Sequence, residues 1–227
     1  MRRPFFTFGY LLMLVTAHPV QAADTLPEGF VYLEETVPGL RVDLAYSGTE
    51  NFVGAVVDGY EGTRAILSAP AAKALAAVQE ELRPFGLGLK VFDAYRPQRA
   101  VAHFVRWAEM PDDPDIKALY YPDIDKHRLF EEGYVATRSS HSRGSTVDLT
   151  VVSLADGAEL DMGTRFDFFG PESWPGHEPL SDEQRANRLL LRLAMERHGF
   201  KPFDKEWWHF TLTNEPFPDT YFDFPVR

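Results

Sequence analysis

Apolar positions recur at helical spacing in the last third of the chain, over residues 182–198. Leu189, Leu190, Leu193 and Ala194 form an apolar stripe, and a helical residue of this kind returns to the same face every three or four positions. Ser181 and Gln184 are spaced as a capping-box pair before this run, and Gly199 can end the helix. Proline and serine signals at helix starts predict two further helices, over 69–84 and 97–109.

Runs rich in β-branched and aromatic residues predict the strands. They fall at 89–93, 146–153, 158–162 and 206–212. Asp156-Gly157 is a turn signal between the second and third runs, which favours a hairpin there, whereas 166–179 has little periodicity and is expected to be a long loop. The elements predict one α+β domain with a small antiparallel central sheet flanked by helices.

The N-terminal pattern is typical of an export signal. Arg2 and Arg3 precede an apolar run from Phe5 to Val15, and small residues follow near Ala22. The alternative, a membrane anchor, is less favoured because the run is shorter than the roughly 20 residues that a bilayer span requires. We therefore predict a cleaved signal over 1–22, a mature domain over 23–227 with no stable membrane insertion, and a periplasmic location.

Charge and cysteine content narrow the functional classes. The net charge is −11, and removal of the two arginines of the signal would make it −13, which disfavours nucleic acid as a partner. The chain has no cysteine, so a metal would have to be held by histidine and carboxylate ligands.

Two short segments together contain the groups that a catalytic zinc requires. His141 and Asp148 lie in one, where His141 is expected on a loop that leads into the strand with Asp148, and Glu206 and His209 lie in the other. Two imidazoles and a carboxylate can bind zinc and leave a position open for water, while a second carboxylate transfers protons. Strict alternation would place Glu206 and His209 on opposite faces, so we expect Glu206 at an irregular strand entrance.

These segments also match a known pattern, S-x-H-x-x-G-x-x-x-D followed by E-x-x-H. The pattern resembles that of the zinc peptidases that include D-Ala-D-Ala carboxypeptidases, lysostaphin-type enzymes and the Hedgehog signalling domain. The resemblance is strongest to the D-alanyl-D-alanine dipeptidases of the vancomycin-resistance type. It extends from about Phe30 to Arg227 and includes residues 51–54, 57–60, 93–97, 139–150, 162–168 and 221–225.

The resemblance implies roles for five residues in the reaction. His141, Asp148 and His209 would ligate one zinc ion per chain, and Glu206 would act as general base and acid. Arg96 matches the arginine that stabilises the tetrahedral intermediate, although an arginine at the start of a helix can equally well pair with a structural acid such as Asp93.

Three more residues match positions that contact substrate in this family. Asp167 and Tyr46 match the acid and tyrosine that bind the free ammonium of a dipeptide, and Ser139 matches a serine near its carboxylate end. An acid between two phenylalanines costs free energy unless it is paired, which fits a site for a cation. The remaining histidines of the mature chain are interpreted as structural or exposed: His103, His127, His177 and His198.

The function implied is zinc-dependent hydrolysis of free D-alanyl-D-alanine to two D-alanines. A murein D,D-carboxypeptidase or endopeptidase would use the same chemistry, and a non-haem iron oxygenase or a non-catalytic zinc-binding module are more distant alternatives. Dipeptidases of the vancomycin-resistance type act in the cytoplasm, so the export signal favours recycling or scavenging of wall-derived dipeptide. The oligomeric state does not follow from the sequence.

Overall fold

The computed structural model describes residues 25–227, and the predicted signal over 1–22 lies outside the described residues. The strands are β1 Phe30–Tyr32, β2 Arg41–Val42, β3 Ile66–Ser68, β4 Leu87–Asp93, β5 Thr146–Ser153, β6 Phe200–Phe203 and β7 Glu206–Leu212. The α-helices are α1 Leu33–Thr36, α2 Ala69–Leu82, α3 Gln98–Ala108, α4 Pro114–Tyr120, α5 Arg128–Glu131 and α6 Asp182–Arg197. Within this part of the chain, no helix combines the length and the apolar character needed to span a bilayer.

A five-stranded sheet in the order β2-β4-β5-β7-β6 forms the centre of the fold. Its strands pair antiparallel, except that the short edge strand β2 runs parallel to β4. All residues of the central strand β5 are buried except the last, so it is covered on both faces. The predicted α+β class and small antiparallel sheet are confirmed, and the parallel edge strand is an addition to them.

The capping box predicted for α6 is present. Ser181 Oγ accepts a hydrogen bond from Gln184 N and Gln184 Oε1 accepts one from Ser181 N, both at 3.1 Å, and Gly199 follows the helix with φ +86°. The predicted apolar face is right for Ala194, which is buried, and for Leu190, which packs against the core, but wrong for Leu189 and Leu193, which are about half exposed. The buried residues of α6 are Arg188, Leu191, Ala194 and Met195.

The other helices and strands show one clear error. The predicted strand over 158–162 is absent, and only an isolated bridge joins Glu159 to Val152. The turn at Asp156-Gly157 does reverse the chain, but Asp161 then accepts hydrogen bonds from Gly163 N and from Gln184 Nε2 of α6, which draw the chain away from the sheet. The predicted loop over 166–179 is confirmed, with one 3₁₀ turn at Pro171–Ser173.

An aromatic tail near the end of the described chain packs against β1. The Phe222 and Phe224 rings lie 4.9 and 5.0 Å from the Phe30 ring, and Phe224 stacks on Tyr95 at 4.0 Å. Phe222 N also donates to Ser142 O at 2.8 Å. The tail therefore supports the turn that precedes β5.

Candidate active site

The predicted metal donors are brought together by strand register and one turn. Asp148 of β5 and His209 of β7 are directly paired across the sheet. His141 lies in the 3₁₀ turn Ser140–Arg143, immediately before β5. Gly144 ends that turn with φ +81°, and a Cβ there would lie 2.2 Å from the Phe30 ring, so both backbone and space require glycine.

The three donor atoms are spaced as ligands of one small cation. His141 Nε2 lies 3.3 Å from Asp148 Oδ2 and 3.3 Å from His209 Nδ1, and His209 Nδ1 lies 3.0 Å from Asp148 Oδ1. Tetrahedral ligands at zinc bond lengths of about 2.0–2.2 Å are separated by about 3.3–3.6 Å. His141 Nδ1 is 2.7 Å from Ala94 O, which fixes that ring with Nε2 towards the shared point.

Two further observations support a cation at this point. Asp148 Oδ1 is buried and accepts no hydrogen bond among the described residues, since its contact with His209 Nδ1 at 3.0 Å does not have hydrogen-bond geometry, and a carboxylate oxygen in that position is costly unless it binds a cation. Burial lowers the pKa of His209, so its imidazole is held in the neutral form that binds metals. For Asp148, burial opposes ionisation, but the neighbouring imidazoles of His141 and His209 outweigh it and lower the pKa well below its usual range. The donor set fits a divalent metal.

Glu206 lies beside this cluster without being one of its three donors. Its Oε2 is 3.5 Å from His209 Nδ1, although the two residues are three apart on a strand. The pairing of β6 with β7 shifts register between Pro202 and Phe203, so that Phe203 pairs with Glu206. This irregularity at the strand entrance turns Glu206 towards the metal donors.

Burial dominates the electrostatics of Glu206. It raises the pKa of the carboxyl well above its usual range, and the nearby Asp148 and Asp167 raise it further. A carboxyl group with a raised pKa in a pocket is suited to accept and return a proton near neutral pH.

Arg96 contacts both a structural acid and the site. Its Nε and Nη2 each lie 2.8 Å from Asp93 Oδ2, and Nη2 lies 3.5 Å from Asp148 Oδ2. Tyr60 donates to the other Asp93 oxygen at 2.5 Å. The two interpretations left open by the sequence are compatible, since the fully buried Asp93 orients the guanidinium that faces the pocket.

Tyr46 and Asp167 form a buried, hydrogen-bonded pair that lines the pocket. The Tyr46 hydroxyl donates to Asp167 Oδ2 at 2.9 Å, and Asp167 is 4% exposed. Burial, followed by the charge of Asp148, raises the pKa of Asp167 well above its usual range. None of the ion pairs within residues 25–227 includes Asp167, so this carboxylate is available to a cation that enters the pocket.

One pocket of about 480 Å³ contains all of these groups. Its walls include every residue that the sequence singled out, namely Tyr46, Arg96, Ser139, His141, Asp148, Asp167, Glu206 and His209. The other histidines of residues 25–227 lie outside it, with His103 against Asp58 and His198 against Glu81. Tyr60 lies in the matched segment 57–60, but the sequence predicted no role for it, because its hydrogen bond to Asp93 joins positions far apart in the chain.

A family model described as D-ala-D-ala dipeptidase matches residues 27–227. The chain belongs to this family. It is therefore a peptidase, as the sequence predicted, and the oxygenase alternative is wrong.

Curated proteins of similar sequence are also named D-alanyl-D-alanine dipeptidases. A D-alanyl-D-alanine dipeptidase of Enterococcus faecium is 44% identical over 88% of this chain and 98% of the relative. One from Streptomyces coelicolor is 44% identical over 87% and 98%, and one from Escherichia coli is 35% identical over 77% and 80%. A crystal structure of a vancomycin resistance D,D-pentapeptidase with Zn(II) covers 70% of this chain and 78% of its own at 12% identity, and its TM-score of 0.34 is too low to support an argument.

Proposed function

We propose that this peptidase hydrolyses free D-alanyl-D-alanine to two D-alanines with one zinc ion per chain. The proposal is supported by the family and by relatives that are each named D-alanyl-D-alanine dipeptidase. The observation that carries it is a buried carboxylate, Asp167, which makes no ion pair with a described residue, is only influenced at longer range by Arg96, and lines the same pocket as the metal donors. A substrate with a free ammonium would supply that partner.

His141, Asp148 and His209 are the proposed zinc ligands. Two neutral imidazoles and one carboxylate make up a ligand set that catalytic zinc uses in hydrolases. Zinc bound there supplies a nucleophile at neutral pH from water and polarises the scissile carbonyl.

Glu206 is the proposed proton carrier. It can take a proton from the attacking water and deliver it to the departing amine, because its carboxylate is close to the metal donors but is not one of them. Arg96 faces the same point with a permanent charge, and its guanidinium can stabilise the oxygen of the scissile carbonyl as that oxygen becomes negative. Asp93 holds the guanidinium in place for this task.

The ends of the substrate are assigned to groups on either side of these residues. Asp167 would pair with the ammonium, while the Tyr46 hydroxyl, whose pKa burial and Asp167 raise, stays protonated and donates to Asp167. Ser139 Oγ accepts a bond from His141 N at 3.3 Å, which leaves the hydroxyl hydrogen available to the substrate carboxylate. Such a site selects a short peptide with both ends free.

Hydrolysis of paired substrates tests this function. Purified enzyme should release D-alanine from D-alanyl-D-alanine, lose activity when a chelator removes the metal, and regain it with zinc. N-acetylation of the dipeptide removes the ammonium and should reduce kcat/KM by about 100-fold, since a buried carboxylate is then left without a partner. Equal cleavage of the acetylated dipeptide would favour the murein carboxypeptidase alternative, and zinc binding without turnover of either substrate would favour the non-catalytic module.

We further propose that the enzyme acts in the periplasm on dipeptide released from the cell wall. The N-terminal charge and hydropathy pattern supports export. Cell fractionation followed by sequencing of the mature N-terminus tests this, and an unprocessed protein in the cytoplasm would contradict it.

A further inference from the structure

Arg188 of α6 is a buried arginine that binds backbone rather than an acid. It is 5% exposed. Its Nε donates to Met162 O at 2.6 Å, Nη1 to Trp174 O at 2.8 Å and Nη2 to Glu172 O at 2.7 Å. All three carbonyls belong to residues 162–174, which we call the Asp167 loop because Asp167 lies in it.

All three hydrogen bonds of the Arg188 guanidinium are donated to this loop. Arg188 takes part in none of the ion pairs found within residues 25–227, and burial lowers its pKa to about 10, so it is still charged at neutral pH. Nearby Asp161 favours the charged form but makes no ion pair with Arg188, so the buried cation depends on strong hydrogen bonds in compensation. Arg188 lies on the buried face of α6 with Leu191 and Met195, whereas Leu189 and Leu193 face outward.

The three bonds join the two ends of the Asp167 loop. Met162 lies at its start, and Glu172 and Trp174 lie at its end, so one rigid planar group fixes the separation of the ends. Between them the backbone of Asp167 has φ +61°, a left-handed conformation that is uncommon for a residue other than glycine and persists where the surroundings enforce it.

Other side-chain contacts also support the loop. Phe166 stacks on Phe92 at 4.6 Å and fixes the ring beside Asp167. Thr164 accepts a hydrogen bond from Trp207 Nε1 at 2.8 Å and lies 3.0 Å from Ser173 Oγ, so one contact within the loop also links positions near its two ends. Arg188 differs from these contacts because one side chain binds both ends of the loop to a separate helix.

We propose that Arg188 is a positioning residue, which sets the affinity for the substrate ammonium by fixing the ends of the loop that presents Asp167. The inference rests on the proposed function, in which Asp167 binds that ammonium. The ammonium is paired in both the ground state and the transition state, so loss of correct placement should raise KM and leave kcat nearly unchanged.

The test compares Arg188→Met with Arg192→Met on the same helix. Arg192 is exposed and bonds only to Glu196 in the described contacts, so its variant is a matched control. We expect Arg188→Met to raise KM for free D-alanyl-D-alanine by about tenfold with kcat within about threefold and unchanged zinc content. Unchanged KM, or a parallel loss of kcat and zinc, would overturn the proposal.

Hydrogen exchange provides a measurement that needs no substrate. Amides of the Asp167 loop should exchange at least about tenfold faster in Arg188→Met than in the wild type or Arg192→Met, while amides of the central sheet are unchanged. Wild-type enzyme that fails to cleave the dipeptide would refute the proposed function, and the exchange result would still decide whether Arg188 fixes the loop. Unchanged exchange in the loop would show that it does not.

Arg188→Lys covers the case in which the methionine variant does not fold. Lysine keeps the charge but has a single terminal nitrogen. It therefore cannot span the distance between the carbonyls at the two ends of the loop, which the three nitrogens of the guanidinium contact together. We expect an intermediate rise in KM, about threefold, and intermediate loop exchange. Full recovery of wild-type KM and loop exchange by lysine would contradict the fixing of both ends.

Discussion

The metal donors and Asp167 are held in the pocket by different supports. Asp148 and His209 occupy paired positions of the central sheet, where backbone hydrogen bonds between strands set their separation. Asp167 lies on a loop whose position depends on single side chains, above all Arg188. The metal donors are therefore placed by the most regular part of the fold, whereas the residue proposed to select the substrate is placed by a part that a few substitutions could reshape.

The largest loss of activity should follow removal of a proposed metal ligand that lies on the central sheet. His209→Ala takes one of the three proposed ligands, so zinc content should fall well below one ion per chain and hydrolysis should fall to background. Elemental analysis of dialysed protein measures the zinc. His198→Ala is the matched control, because His198 contacts Glu81 away from the pocket, and it should keep both zinc and activity. A His209→Ala enzyme with one zinc ion per chain and normal hydrolysis would show that His209 is not a required metal ligand.

Glu206→Gln should leave the metal in place and reduce the reaction rate. Glutamine keeps the shape of the side chain but cannot accept the proton, and general acid–base groups contribute about 10² to 10⁴ in rate. Steady-state kinetics should show this loss in kcat with zinc content near one. Glu196 is a partly exposed glutamate of α6 outside the pocket, so Glu196→Gln should behave as the wild type. A Glu206→Gln enzyme with normal kcat would remove Glu206 from the mechanism.

Asp167→Asn should affect binding of the free dipeptide. Asparagine tolerates the left-handed backbone at this position, so the loop is retained while the charge is lost. We expect KM to rise about 10- to 100-fold with kcat within a few fold, and discrimination against the N-acetylated dipeptide to disappear. If Asp167→Asn still preferred the free dipeptide over the N-acetylated one, another group would bind the ammonium.

The same residue predicts a pH dependence of KM. Burial raises the pKa of Asp167, so the carboxyl becomes protonated at a higher pH than an exposed aspartate. As pH falls through this raised pKa the ammonium loses its partner, and wild-type KM should rise, whereas KM of Asp167→Asn should stay level over that interval. KM measured against pH for both enzymes checks the sign.

The smallest effect should come from the capping box of α6. Ser181→Ala removes the hydrogen bond to Gln184 N and should lower the free energy of unfolding by about 1 kcal/mol. Because α6 still forms and carries Arg188, KM should not change. A denaturant titration and kinetics on the same sample would test whether the Asp167 loop responds to the stability of α6 or only to its presence.

The sheet and its donors could be predicted from local patterns. The β-branched run of β5 has one acid at Asp148, and the Glu206-to-His209 segment is aromatic and strand-like, so both strands and their polar positions were recognisable. The register shift at Phe203 could be anticipated only as an irregularity, because a bulge depends on the partner strand.

The loop and its support could not be predicted in the same way. An arginine in a helix resembles a surface residue, and the partners of Arg188 are backbone carbonyls, which leave no mark in the sequence. The error over 158–162 has the same origin, since contacts of Asp161 with α6 prevailed over local strand preference. Long-range contacts decided both.

The aromatic tail has a consequence for the order of folding. The turn that carries His141 receives a hydrogen bond from Phe222 N, which comes from a part of the chain synthesised long after the turn itself. Such distant contacts are made late because closing a long loop costs entropy before the contact compensates for it. Tight metal binding should therefore occur only after the tail has docked. The rate of zinc uptake during refolding would then measure the rate of this last folding step.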